Sequence, residues 1–177
     1  LGEVGGKMHT GRSRNDLIAT AQRMALREPL DDVIGKLIEL RRTELELAEE
    51  HIRTVMPGYT HLQHAQPITL AHYLVGHVSA LSRDASRVEK AHLFLDLCPL
   101  GAGALAGVTF PIDRCRTAEL LGFNRVMVNA LDAVASRDFA LDITAALAMT
   151  ACDMSRMAED LYLWNTYEFG FIEIGDE

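Results

Sequence analysis

Apolar residues recur at helical spacing through three long segments of the chain. From about residue 31 to 55, Ile34, Ile38, Arg41, Leu45, Ala48, Ile52 and Val55 alternate steps of four and three, which keeps one stripe facing a partner, interrupted only by Arg41. A second segment starts after Pro67, with Thr69 as N-cap, and carries Leu70, Leu74, Val78, Leu81, Ala85, Val88 and Leu95. The third places Ile143, Leu147, Thr150, Met154, Met157, Leu161 and Trp164 in the same rhythm. At about 1.5 Å per residue, each predicts a helix roughly 35 to 50 Å long.

Helices of that length in a chain of 177 residues cannot all bury their stripes in a local core. The heptad-like period predicts an all-α fold of near-parallel packed helices, with association between chains as the outlet for the remaining apolar surface. The stretch "NDLIATAQRMALRE" is also helical in pattern, but Pro29 follows it and removes a backbone donor, so a kink or a break is expected there. Residues 98 to 130, with Gly101, Gly103, Gly107 and Pro111, read as a folded connector holding a short helix near 113 to 121. No convincing strand pair, internal repeat or low-complexity segment is legible.

Composition narrows the partners. Length favours one domain, 1–177, and the first residue is not Met and the last are "EIGDE", so the segment is expected to be cut from something longer. A net charge of −8 opposes nucleic-acid binding, which draws on clustered Lys and Arg. The apolar runs are too short to span a membrane, and the start lacks the basic and apolar pattern of a secretory signal. Three widely spaced cysteines, Cys98, Cys115 and Cys152, without a C-x-x-C pair point to reduced, buried thiols in a cytosolic protein rather than a disulfide framework. One local exception to the acidic balance is "GKMHTGRSR", where Lys7, Arg12 and Arg14 lie in a glycine-rich context suited to a small anion.

Two stretches carry candidate chemistry. "MPGYTHLQHAQPITLAH" crowds His61, His64 and His72 together, yet no Asp or Glu occurs from Pro57 to Ala80, which argues against a metal site. Within "GYTHLQ", Thr60 and Gln63 offer neutral hydrogen bonds and His61 can exchange a proton near neutral pH; a satisfied loop histidine is the alternative. In "HTGRSRND", Arg12 and Arg14 can fork onto a carboxylate while Ser13 and Asn15 sit at an expected helix start, either as an anion site or simply as a capped helix with a basic turn. "GAGALAG" has neither a leading strand nor a following "GK[ST]", and reads as a close-packing turn rather than a phosphate loop.

Taken together, "GGKMHTGRSRND", "MPGYTHLQHAQPIT", "LGAGALAGVTFPIDR", "SRDFALD" and "MAEDLYLWNTYEFGF" resemble the central part of the argininosuccinate lyase family in order and spacing. "TGRSRND" and "GYTHLQ.AQP" resemble two of the three signatures of the fumarase and aspartase superfamily, in the form shared with delta-crystallin. The resemblance implies the central helical domain of that superfamily, in a cytoplasmic homotetramer whose subunits share active sites. It implies reversible elimination of argininosuccinate to arginine and fumarate, in arginine biosynthesis or the urea cycle, without metal or organic cofactor. It makes His61 part of the acid–base machinery and Thr60 a binder of substrate carboxylate. Ser13, Arg14 and Asn15 are implied substrate contacts, as is Gln63, while Arg137 is implied to be structural.

The same resemblance implies an N-terminal domain, a C-terminal domain and a flexible loop of the type "GSS.MPQKKNP" bearing the serine base, none of which lies in these residues. The 177 residues by themselves are therefore expected to be inactive. Leu17 in place of the family's Gln, and Pro29 in a helix normally uninterrupted, depart from its pattern. Two alternatives stand beside it: a crystallin-like structural protein of the same fold, and a sister lyase acting on another succinyl adduct or on aspartate.

Overall fold

The computed structural model describes residues 2–175. The elements in chain order are α1 (Gly2–Gly6), a 3-10 turn (Lys7–His9), α2 (Arg14–Glu50), β1 (Val55–Thr60), β2 (Gln63–Thr69), α3 (Leu70–Leu95), β3 (Leu97–Cys98), α4 (Arg114–Leu120), β4 (Arg125–Val126), α5 (Ala130–Ala135) and α6 (Asp138–Trp164). The all-α, long-helix class expected from the periodicity holds, with α2, α3 and α6 supplying most of the chain. Contacts divide the chain into two compact units: the first takes residues up to Val33 with Glu89–Ile143, the second Ile34–Val88 with the residues from Thr144 onward.

Sequence and structure agree most closely on α3. Leu74, Val78, Leu81, Ala85, Val88 and Leu95 are all buried, with Ala91 completing the rhythm. On α2 the expected stripe holds at Ala48, which is buried, and in part at Ile34 and Arg41, which are half-buried, but Leu37 and Glu44 take the inward places expected of Ile38 and Leu45. Asp16, Thr20, Arg23, Leu30, Leu37, Glu44 and Ala48 face inward, whereas Ile38 and Leu45 stay 44% and 43% exposed. At Glu44 the cause is plain: the inward residue is charged, so counting apolar residues selects its neighbour Leu45.

Pro29 does not divide α2, which stays helical through it. The proline is on the exposed face beside the buried Leu30, and the bond it cannot make would have reached the carbonyl of Ala25, also exposed. Water can take that carbonyl, while the buried stripe runs on unbroken. The helix ends at Glu50, so Ile52 and Val55, 61% and 70% exposed, lie beyond it rather than on its stripe.

In the first unit the connector after α3 packs into two small cores. Cys98, Ala118 and Phe123 form one, with Leu100, Leu121 and Val126 against it; Ala102, Met127 and Ala133 form the other. Cys98 is buried as expected, but Cys115 and Cys152 are exposed on their helices, α4 and α6. The parallel pair β3–β4, Leu97 with Arg125 and Cys98 with Val126, ties the two ends of this connector together. Asp113 caps α4 by accepting from Arg116 N, and Asn129 caps α5 by accepting from Leu131 N and Asp132 N. Two arginines of α2 close the packing by lying over aromatic rings: Arg23 is 4.3 Å from the Phe139 ring centre, and Arg27 is 3.9 Å from that of Phe123.

In the second unit, α2 and α3 are joined by an antiparallel hairpin that the sequence did not announce. β1 and β2 pair Val55 with Thr69, Met56 with Ile68, Pro57 with Pro67, then Tyr59 with His64 and Thr60 with Gln63 across a bulge. His61 and Leu62 form the two-residue turn, with φ of +53° and +58°, the primed-turn geometry that matches strand twist. The ribbon escapes a search for alternation because β2 has no buried residue, and because Pro57 and Pro67 would disqualify a central strand. A two-stranded ribbon has only edges, where proline is tolerated. Gly58 marks the bulge: a Cβ there would sit 2.6 Å from the Gln66 carbonyl oxygen.

Candidate functional site

The candidate residues fall in both units. Ser13, Arg14 and Asn15 belong to the first, at the start of α2. Ser13 Oγ accepts from Asn15 N at 3.2 Å, and Asp16, three residues after Ser13, returns a carboxylate oxygen to Ser13 N at 3.1 Å. This reciprocal pair is a capping box with Asp in place of Glu, and it satisfies donors that a helix start would leave open.

Asp16 does more than cap. Its other carboxylate oxygen accepts from Gly101 N at 3.0 Å and Gly103 N at 2.9 Å, and the residue has 0% exposure. Asn15 Nδ2 donates to the Ala104 carbonyl at 3.1 Å. The glycine turn of "GAGALAG" is thus docked on the first motif by three bonds. Gly103 is required in it: φ is +66°, and a Cβ would approach the Gly107 carbonyl oxygen to 2.6 Å. Arg14 is exposed and Ser13 half-buried, so both lie where a ligand could reach them. Leu17 is 37% exposed on the same turn. Arg12 donates to the Met8 carbonyl and so folds back on the preceding turn.

Thr60, His61 and Gln63 belong to the second unit, at the hairpin tip, and all three are exposed. The structure brings them together: Thr60 and Gln63 are the last paired residues and His61 is the first of the turn between them. A left-handed backbone costs a non-glycine residue roughly 1–2 kcal/mol, and two such residues in succession are held here by the ladder on either side. Leu70 N donates to the Thr54 carbonyl at 2.9 Å and closes the base of the ribbon.

His64 and His72 part company with His61. His64 is not at a helix start but on β2, its ring 5.1 Å from that of Tyr59. His72 lies in the first turn of α3, where its backbone N–H donates to Thr69 Oγ1 at 3.1 Å, the cap expected from the sequence. Among the described residues no group of three or more His, Cys, Asp and Glu is arranged to hold a metal ion.

Three polar groups of the second unit outside the candidate set are buried or half-buried. In the second unit Tyr73 donates to Asp160 at 2.9 Å, and burial with that bond pushes the phenol pKa well above its ordinary value. His77, its ring 4.6 Å from Tyr73, is held below the usual imidazole value by burial. Glu44 is 5% exposed, neither of its oxygens has a hydrogen-bond partner, and burial raises its pKa. Only Asp16 had a legible signal, its spacing of three from Ser13.

Two cavities accompany the motifs. In the first unit, an open groove of 440 Å³ is lined by Gln22, Ala25, Leu26, Arg137, Phe139 and Ala140. Arg137 there donates to the carbonyls of Val134 at 3.1 Å and Ser136 at 2.7 Å, holding the entry to α6. In the second unit, 210 Å³ lies under the hairpin base, walled by Val55, Met56, Pro57, Leu70, Trp164 and Phe171 among others. Neither cavity is lined by the six candidate contact residues.

The chain belongs to the lyase family, whose model it matches over residues 1–177. Within it, the chain is similar to argininosuccinate lyases. It is 53% identical over 176 residues to that of Desulforudis audaxviator, covering 99% of this chain and 38% of the relative. It is 51% identical over 174 residues to that of Methanosarcina acetivorans, covering 98% of this chain and 35% of the relative.

Among solved structures, EDDS lyase in complex with formate superposes with a TM-score of 0.93 at 41% identity, over 96% of this chain and 34% of that one. A fumarate lyase:delta crystallin from Brucella melitensis, bound to cobalt, shares the fold with a TM-score of 0.80 at 24% identity, over 88% of this chain and 35% of that one. The resemblance read from the motifs therefore extends across the chain, which spans 35–38% of the length of the two curated relatives. No helix among the described residues is long and apolar enough to cross a membrane.

Proposed function

We propose that the protein to which these residues belong is an argininosuccinate lyase, cleaving argininosuccinate to arginine and fumarate, and that residues 1–177 are its central helical domain. The observation that carries this reading is the 53% identity to a curated argininosuccinate lyase over 99% of the chain. The chemistry removes a proton from the carbon beside a substrate carboxylate. The electron pair left behind gives a dianionic intermediate, then forms the carbon–carbon double bond of fumarate as the carbon–nitrogen bond breaks. The departing guanidinium nitrogen takes up a proton.

In this reading His61 exchanges a proton with the reacting substrate and Thr60 beside it donates to a substrate carboxylate. Gln63 closes the same tip, and Ser13, Arg14 and Asn15 bind the substrate from the start of α2. Exposure of Thr60, His61, Gln63, Arg14 and Asn15 in a single chain supports a homotetramer in which several subunits complete each active site. So do the uncovered apolar residues of α6, with Leu141 at 73%, Tyr162 at 64% and Met154 at 43% exposure. The enzyme works without metal or organic cofactor, in the cytoplasm, in arginine biosynthesis, and the segment alone does not turn over.

The test supplies the intact protein with argininosuccinate and follows fumarate. Steady release at enzymatic rates is expected, and its absence overturns the reading. A second reading, a sister lyase for another succinyl adduct, draws support from the 41% identity to EDDS lyase. Fumarate released from EDDS but not from argininosuccinate would move the assignment there, and release from neither would leave a crystallin-like structural role.

A further inference from the structure

A two-stranded ribbon is marginal on its own in water, yet this one holds two left-handed residues at its tip. Its ladder is interrupted by a bulge, two of its paired positions are prolines, and residues 60 to 67 are exposed. What stiffens it lies on the other side of Tyr59. The Tyr59 ring is 5.1 Å from His64 across the ladder, 5.6 Å and edge-on from Phe169, and 6.3 Å from Phe171. Phe171 lies 6.3 Å from Trp164, and Trp164 lies 4.4 Å from Tyr73. The run of rings therefore leads from the fourth-last residue before the ribbon's second strand into the buried wall of α3 and α6.

The segment that supplies Phe169 and Phe171 is itself pinned. Phe171 N donates to the Trp164 carbonyl at 2.9 Å, Gly170 N donates to the Thr166 carbonyl at 2.8 Å, and Asn165 Oδ1 accepts from Ile174 N at 3.0 Å. Aromatic pairs in these geometries stabilise beyond their buried area, which offsets the cost of the turn they brace. Among the described residues the side-chain contacts of Tyr59 are ring contacts, so the ring faces carry the anchorage.

We propose that Tyr59 is a positioning residue. Clamped between His64 and the Phe169–Phe171 pair, it fixes the hairpin tip and with it the location of the His61 imidazole two residues on. The proposal rests on the lyase reading for its catalytic consequence, but not for its structural one. A displacement of about 1 Å in a reacting group can cost about a hundredfold in rate, so losing the clamp falls on turnover more than on binding.

The experiment compares Tyr59→Leu, Tyr59→Phe and Phe171→Leu in the intact protein. It measures kcat and KM for argininosuccinate together with amide hydrogen exchange over residues 55–69. Tyr59→Leu is expected to lower kcat about tenfold or more, leave KM within about twofold, and speed exchange at the hairpin about tenfold or more. Tyr59→Phe, which keeps the ring, restores both. Phe171→Leu shows the Tyr59→Leu pattern in weaker form and replaces it should that variant fail to fold. Hairpin exchange and kcat within twofold of the parent in Tyr59→Leu would overturn the proposal, as would a fall in kcat with exchange unchanged. If the parent releases no fumarate, the functional reading fails, and the exchange data alone decide whether Tyr59 holds the tip.

Discussion

At the start of α2 the candidate residues are tied to the chain by hydrogen bonds that converge on Asp16, a carboxylate with 0% exposure and three backbone donors. At the hairpin tip Thr60, His61 and Gln63 stand in solvent, and the ribbon below them is braced by ring contacts. The first region is held by directional polar bonds in a dry setting, where an orphaned donor is costly. The second is held by ring faces packed below a tip that itself stays in solvent. A group that binds carboxylate gains from the first kind of support. A group that must gain and lose a proton at each turnover gains from the second, since burial would oppose its charged form.

The comparison breaks most readily at His61. His61→Asn in the intact protein is expected to lower kcat by ~10² to 10⁴, the usual share of a general acid or base, while leaving thermal stability close to the parent because the side chain is exposed. Steady-state assay of fumarate release beside calorimetry checks both halves. A loss under tenfold would return His61 to the role of an ordinary turn residue.

Asp16 should show the opposite balance. Asp16→Ala leaves Ser13 N, Gly101 N and Gly103 N without their acceptor, and a buried unpaired donor costs about 1–3 kcal/mol. A loss of about 3 kcal/mol or more in unfolding free energy is expected, read by denaturant titration, with the glycine turn more readily cleaved by protease. Retention of parental stability would mean that water replaces the carboxylate and that the first region is not dry.

These two positions also show what was legible in advance. The long helices and the class of fold were readable because α3 buries apolar residues at a steady helical period; on α6 the expected stripe holds only in part, with Ile143 and Trp164 buried but Leu147 and Met154 36% and 43% exposed. Thr60, His61 and Gln63 were singled out as a group, and they are neighbours at one turn. The hairpin was not readable, since its stability comes from rings more than a hundred residues away rather than from alternation within it. Nor was the inward row of α2, where Asp16, Arg23 and Glu44 occupy positions that a hydrophobicity pattern assigns to solvent. Asp16 was half visible, since its spacing from Ser13 announces a cap but says nothing of Gly101 and Gly103.

Glu44 extends the contrast to a buried carboxylate that lacks the donors Asp16 enjoys. Burial raises its folded-state pKa above the unfolded value, so its contribution is fully present below the ordinary carboxylate range and is lost as pH rises through the folded pKa. Glu44→Gln should therefore flatten the decline of unfolding free energy between acidic and neutral pH, and the variant should be the more stable of the two at pH 7. Chemical denaturation across that range checks the sign. A parent whose stability gains from Glu44 as pH rises would show that the carboxylate finds a cationic partner in the assembled protein.

The smallest effect isolates the turn itself. Leu62 is 71% exposed with φ of +58°, so its side chain packs little and its backbone pays the left-handed penalty. Leu62→Gly removes roughly 1–2 kcal/mol of that strain and adds about 0.5–1 kcal/mol of unfolded-state entropy, for a net gain of about 0.5 kcal/mol. Thermal unfolding of the variant should shift upward by about 1–2 °C, what such a change produces in a domain this size. The sign is the informative part. A loss of stability would mean that Leu62 is covered in the assembled protein, so that the tip, though bare in a single chain, is finished by a neighbouring surface.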